Sequence, residues 1–240
     1  NRGVNDKGLL INAQSQLLGF CADELTNQEF IDELLKLTSL SKIYSWDLCT
    51  ADTQPSNVGG MKKDFLLAPR LDNLAMLESS LEALLSSKSD ENLNFIASFH
   101  HEEIGSSSAE GAESNFLPSI LKRIFSEYPE LGFLSQQLPD SLFLSADMAH
   151  AFHPGYTEKF DLQNHPLLNK GPVLKYNANG RYATDAVSSA RIQKLAEENK
   201  ISLQLFHNRN DMGCGSTIGP ANATNLGIPV VDLGNPMHSM

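Results

Sequence analysis

The chain has 240 residues, 41% of them hydrophobic, and a formal net charge of −11 at neutral pH. That much apolar content buries a substantial core in one domain, or in one domain plus an accessory piece, and the acidic balance argues against nucleic acid or an anionic membrane surface as partner. No apolar run reaches the ~18 residues of a membrane-spanning helix, and the opening residues lack the basic and apolar regions of a signal peptide.

In chain order, a polar opening leads into two helical patterns. Leu17, Leu18, Phe20, Cys21 and Leu25 make one apolar face, and Phe30, Ile31, Leu34, Leu35 and Leu37 make another. Thr26, with Glu29 three residues later, is a capping box between them. Tyr44 to Cys49 reads as a short strand, and Gln54 to Gly60 as a loop. The domain boundary is expected at this loop, with residues 1–60 ending an accessory domain and 61–240 forming an α/β domain. Cys21, Cys49 and Cys214 are odd in number and widely spaced, which suits neither a disulfide framework nor a zinc finger. A reducing, cytoplasmic compartment is expected.

Strands and helices then alternate. Phe65–Ala68 is a short strand, Leu74 to about Ser86 a helix, and Leu93–Phe99 a strand. A helix over Ser114–Glu127 and a strand over Ser141–Ser145 follow. Beyond a loop-rich stretch, 153–172, come a strand at Pro172–Tyr176, a helix over Asp185–Glu198 capped by Thr184, and a strand at Leu203–Phe206. A glycine-rich loop, 213–220, leads through a short helix to a final strand, Ile228–Leu233. This order predicts an α/β fold: a mostly parallel mixed sheet flanked by helices, a three-layer sandwich.

Four of these strands hand chemistry to what would be one edge. Phe65–Ala68 leads to Asp72, Leu93–Phe99 to Glu102 and Glu103, Leu142–Leu144 to Asp147, and the last strand to His238. Open α/β sheets bind ligands beyond the carboxyl ends of their strands. Adjacent side chains on a strand face opposite ways, so Glu102 and Glu103 can serve one site only where the backbone turns. Each residue alone has an ordinary loop reading. Together, oxygen and nitrogen donors without thiolates suit zinc, manganese or cobalt, and several carboxylates with one bridging suggest two metals. The residues by themselves reach as far as a candidate metallohydrolase. The glycine-rich loop lacks the Gly-Lys-Ser/Thr ending of a phosphate cradle.

Six stretches then resemble one family: 68–74 (Ala-Pro-Arg-Leu-Asp-Asn-Leu), 101–106 (His-Glu-Glu-Ile-Gly-Ser), 144–151 (Leu-Ser-Ala-Asp-Met-Ala-His-Ala), 170–175 (Lys-Gly-Pro-Val-Leu-Lys), 214–220 (Cys-Gly-Ser-Thr-Ile-Gly-Pro) and 237–240 (Met-His-Ser-Met). In this order they resemble the M18 metallopeptidases, the aspartyl aminopeptidases, over nearly all of 45–240. The resemblance implies removal of an N-terminal Asp or Glu from peptides at a site with two zinc ions. Asp72 would bridge them, Glu103 and His238 would ligate one and Asp147 the other, and Glu102 would be the general base. It also implies Lys175 as the cation that selects an acidic first residue, with His150 beside the site and Tyr182 lining the pocket. A homo-oligomer, a dodecamer, is implied as well. His153, His165 and His207 carry no match and are expected to be loop or core histidines.

The resemblance has gaps. The family uses a further metal-binding histidine, expected to precede Asn1, and its accessory domain is expected only in part. The approach to His238 through Asn235-Pro236-Met237 is short, and His100 stands where the family carries an acidic or polar residue. Two other readings stay open: a related metallo-aminopeptidase of different first-residue preference, and a non-catalytic assembly component.

Overall fold

A computed structural model describes residues 11–88 and 92–238. The opening polar segment and the last two residues of the Met-His-Ser-Met motif lie outside them. The chain divides into two compact units between Ser56 and Asn57.

The first unit holds helices α1 (Ala13–Gln16) and α2 (Asn27–Thr38). Thr26 and Glu29 form the expected capping box: the Glu29 N–H donates to Thr26 Oγ1 at 3.3 Å, and the Thr26 N–H to Glu29 Oε2 at 2.8 Å. Two expectations fail here. Residues 17–25 are not helical, and Tyr44–Cys49 forms no strand. Leu17, Leu18 and Phe20 are exposed, so among the described residues of this unit the apolar face that would favour a helix has nothing to pack on. A strand likewise needs a ladder partner, and residues 44–49 have none among the described residues.

The second unit opens with an antiparallel pair, β1 (Asn57–Gly59) and β2 (Phe65–Leu67), so the expected loop at 54–60 is partly strand. Then come α3 (Leu71–Ser86), α4 (Phe116–Glu127) and the short α5 (Leu134–Gln137). The main sheet has four strands: β3 (Phe143–Ala146), β5 (Val173–Tyr176), β6 (Gln204–His207) and β7 (Val230–Gly234), in the order β3-β7-β5-β6. Its β3–β7 and β5–β6 pairs are parallel and its β7–β5 pair antiparallel. Between β3 and β5 lies β4 (Ala149–His150), which pairs in parallel with β8 (Pro236–Met237). Helices α6 (Ala186–Glu198) and α7 (Ile218–Leu226) complete the mixed α/β architecture that the sequence predicts.

Two of the four strands expected to deliver the site are not in this sheet. β2 pairs only with β1, and Leu93–Phe99 makes no ladder among the described residues. The helix cap at 185 also differs. Asp185 caps α6, accepting from the Ser188 N–H at 2.7 Å, while the Thr184 hydroxyl accepts from the Asp232 N–H at 2.9 Å. The core lies along β5 and β6: Val173, Tyr182, Phe206, Ala149 and Phe160 are buried together, with Phe152 and Cys214 against them. Among the described residues, no helix is long and apolar enough to cross a membrane.

Candidate metal centre

Parallel strands end at the same edge, and here β3 and β7 carry their ladder past the strand ends. The Asp147 N–H donates to Leu233 O at 3.1 Å, Ala149 to Asn235 at 2.9 Å and Ala151 to Met237 at 2.8 Å. Asp147 and His150 on one path and His238 on the other thus leave the sheet side by side. Gly234 permits the close approach, since a Cβ there would stand 1.9 Å from the Asp147 carbonyl oxygen.

Asp72 comes from the start of α3, where it and Asn73 have non-helical dihedrals. The Asn73 amide donates to Ala146 O at 2.7 Å, which ties this segment to the residue before Asp147. Glu102 and Glu103 sit on the turn that the paired carboxylates require. His101 takes a left-handed φ of 60°, and the Ser106 N–H returns to His101 O at 2.8 Å. Removing the expected strand before this turn therefore does not remove the turn itself.

Electrostatics shows that these carboxylates share one neighbourhood. Glu102 is pushed up to about 7, first by burial, then by Asp147, Glu103 and Asp72, with Lys175 opposing. Asp72 is pushed up to about 6 by burial, by Asp147 through charge and a shared hydrogen bond, and by Glu103. Lys175 is 1% exposed and donates to Asp147 Oδ2 at 3.0 Å and to Met148 O at 2.8 Å. Its ammonium lies 5.1 Å from the centre of the buried Tyr182 ring, a cation–π arrangement. Burial holds the Tyr182 hydroxyl above its ordinary value, and that hydroxyl accepts from Cys214 Sγ at 3.4 Å. Burial, then the charge of Lys175, holds His150 below the ordinary imidazole value.

His238 has its Nε2 3.1 Å from Phe152 O, and its ring leans on His153 with centroids 5.1 Å apart. Among the described residues, only one group of at least three His, Cys, Asp or Glu donors has its ligand atoms mutually within 4.8 Å. It is His100, His101 and Glu110; no three of Asp72, Glu103, Asp147 and His238 come that close. The carboxylate set nevertheless fits a dication in its chemistry: half-buried oxygen donors, two of them raised first by burial and then by the neighbouring carboxylates, which a bound divalent ion would oppose.

The other histidines have local partners. His165 Nδ1 lies 3.0 Å from Asp161 O, His207 stacks on Tyr176, and His153 Nδ1 accepts from the Gly155 N–H at 3.1 Å.

Sequence reasoning missed Asp232. It is fully buried in β7, accepting from the Ala183 N–H at 2.6 Å and the Thr217 hydroxyl at 2.5 Å. It therefore fixes both the segment after Tyr182 and the glycine-rich loop. The signal was present: an aspartate within Val230-Val231-Asp232-Leu233 is an isolated charge in an apolar strand, and such a charge needs built-in partners.

A family model described as Aminopeptidase I zinc metalloprotease (M18) matches residues 13–240. The chain belongs to the M18 family. It is 44% identical over 206 residues to aspartyl aminopeptidase 1 of Schizosaccharomyces pombe, covering 83% of this chain and 44% of that protein. It is similar to a structure of the Ape4 and Nbr1 complex, with TM-score 0.80 and 34% identity, over 100% of this chain and 51% of that one. It is also similar to the mApe1 dodecamer of S. cerevisiae, with TM-score 0.69 and 32% identity, over 79% of this chain and 43% of that one. The chain spans about half the length of the curated relatives it matches.

Proposed function

We propose that the protein is an aminopeptidase that removes N-terminal Asp or Glu from peptides at a dinuclear zinc centre. One observation carries the reading: Asp72, Glu102, Glu103 and Asp147 crowd one edge beside a single buried ammonium, with two of the carboxyls pushed up to about 6 and about 7. In the proposed ligand set Asp72 would be shared by two zinc ions, Glu103 and His238 would hold one, and Asp147 would hold the other. Manganese or cobalt would suit the same donors. Bound there, the ions would polarise the scissile carbonyl and activate water.

Glu102 is the proposed proton carrier. It sits on the turn beside Glu103, half-buried and close to Asp72 and Asp147, where a carboxylate outside the ligand set can accept a proton from water and return it. It takes the proton of the attacking water and gives it to the leaving amine. Lys175 supplies the cation for an acidic first residue. An ammonium has three N–H donors, Asp147 and Met148 take two, and the third is left for a substrate carboxylate. His150 and Tyr182 flank that position.

Residues 1–60 are proposed as part of an accessory domain that supports a homo-oligomer. The support is the likeness to a protein whose structure is titled a dodecamer. Peptides are the proposed partners, and the cytoplasm the proposed compartment, consistent with three free cysteines.

A second reading has an observation of its own. Because Lys175 already pairs with Asp147, it can be a structural counter-ion, leaving a metallo-aminopeptidase with another first-residue preference. Cleavage of Asp-, Glu- and Leu-anilides by wild type and Lys175→Met separates the two. Loss of the acidic preference in Lys175→Met, with Leu cleavage equal to or above that of wild type, supports the selectivity role, whereas no change in preference supports the second reading.

A further inference from the structure

Loop 100–111 holds a second, tighter set of donors that the mechanism above does not use. His100, His101 and Glu110 each present one ligand atom within 4.8 Å of the others. The backbone pins them together, since the His100 N–H donates to Glu110 O at 3.1 Å. The loop doubles back closely: a Cβ on Gly111 would stand 2.0 Å from Ser106 O, so only glycine lets the chain return here. The two imidazoles stack with centroids 4.2 Å apart and planes 15° from parallel, so one exposed ring must turn out of this stack for both in-plane lone pairs to face one ion. His101 Nδ1 lies 2.7 Å from Ser108 Oγ. In the tautomer that donates to Ser108, Nε2 keeps its lone pair, the outer-sphere arrangement by which ligating histidines are oriented.

Two imidazoles and one carboxylate, with a side open to solvent, match zinc and its neighbours in the transition series. All-oxygen preference makes magnesium and calcium poor occupants. We propose that His100, His101 and Glu110 form a separate transition-metal site, and that its occupation clamps the turn carrying Glu102 and Glu103. The site shares no residue with the proposed catalytic ligands and stands whether or not those bind zinc.

Zinc titration of the full chain, followed by calorimetry and by the histidine ring resonances in NMR, tests this. The expected result is that one of the zinc-binding events, apart from any at the proposed catalytic ligands, shifts the His100 and His101 rings and leaves His207 unmoved. His100→Asn and Glu110→Gln should each weaken that event by about tenfold or more, and Ser108→Ala by about tenfold through loss of ring orientation. Both His100 and Glu110 are exposed, so either variant serves if the other folds poorly. Asp72→Asn should leave the event in place. Unmoved rings at saturating zinc, unchanged affinity in the variants, or loss of the event in Asp72→Asn would each overturn the proposal.

Discussion

Lys175 Nζ lies 3.0 Å from Asp147 Oδ2, joining the middle of β5 to the residue just beyond β3. The lysine side chain is 2% exposed and the aspartate 21%. Removing one partner of such a pair strands the other charge, which costs roughly 3–5 kcal/mol for a fully buried pair. Lys175→Met should therefore destabilise by about 3 kcal/mol, near the low end because water still reaches Asp147. A urea double-mutant cycle with Asp147→Asn checks it: the double variant should recover part of the loss. Simple addition of the two losses would argue against direct coupling.

The same lysine opposes the upward push on Glu102 and Asp72. In chelator, the Glu102 carboxyl should titrate at about 7, and in Lys175→Met higher still, as read by carboxyl carbon NMR. Both folded values lie above the ordinary ones. These groups thus favour the folded state most when protonated, and their contribution falls as pH rises from 3.8 toward 6 for Asp72 and from 4.5 toward 7 for Glu102. Stability of the chelated chain should decline across that window, and zinc should reduce the decline.

Asp185 acts with the opposite sign. The Ser188 N–H holds its carboxyl below the ordinary 3.8, so its capping contribution is complete above that value and fades as pH falls below it. Asp185→Ala should cost about 1 kcal/mol at neutral pH. The difference from wild type should shrink in acid, measured by chemical denaturation at each pH.

Gly219 faces Asp232. A Cβ there would meet Oδ2 at 2.7 Å and Oδ1 at 2.8 Å, and the carboxylate is held by Thr217 and Ala183. Gly219→Ala should cost about 1–3 kcal/mol as an overpacked site. Gly213→Ala, with nothing within 4 Å of the added carbon, should be nearly neutral and serves as the control in thermal unfolding.

The legible parts of the fold were those whose partners are local or whose pattern is strong. The capping box at Thr26 and Glu29, β3, β5, and the helices at 116–127 and 186–198 follow from short-range chemistry and apolar period. Residues 17–25, 44–49 and 93–99 carry suitable apolar patterns. A helix face needs something to pack on and a strand needs a neighbour, and neither requirement can be read from the segment itself. The turn at Glu102 and Glu103 was legible because two adjacent carboxylates cannot share a site on a straight strand. That Asp72 and Asp147 would share a site was expected from the strand ends and the resemblance, whereas their direct hydrogen bond was not, since the two lie far apart along the chain. Asp232 and the His100–Glu110 pairing were missed for the same reason. Their partners come from elsewhere in the chain, or from a backbone that doubles back on itself.

The central claim is acidic-residue aminopeptidase chemistry with Glu102 as the proton carrier. The most direct measurement is hydrolysis of matched Asp-, Glu- and Leu-anilides by the full-length protein, with and without chelator, for wild type and Glu102→Gln. The account predicts cleavage of Asp or Glu substrates and not Leu, abolished by chelator and lowered by about 10²–10⁴-fold in Glu102→Gln. Cleavage that survives Glu102→Gln or chelation, or no cleavage of acidic substrates by the zinc-loaded, assembled protein, would contradict it.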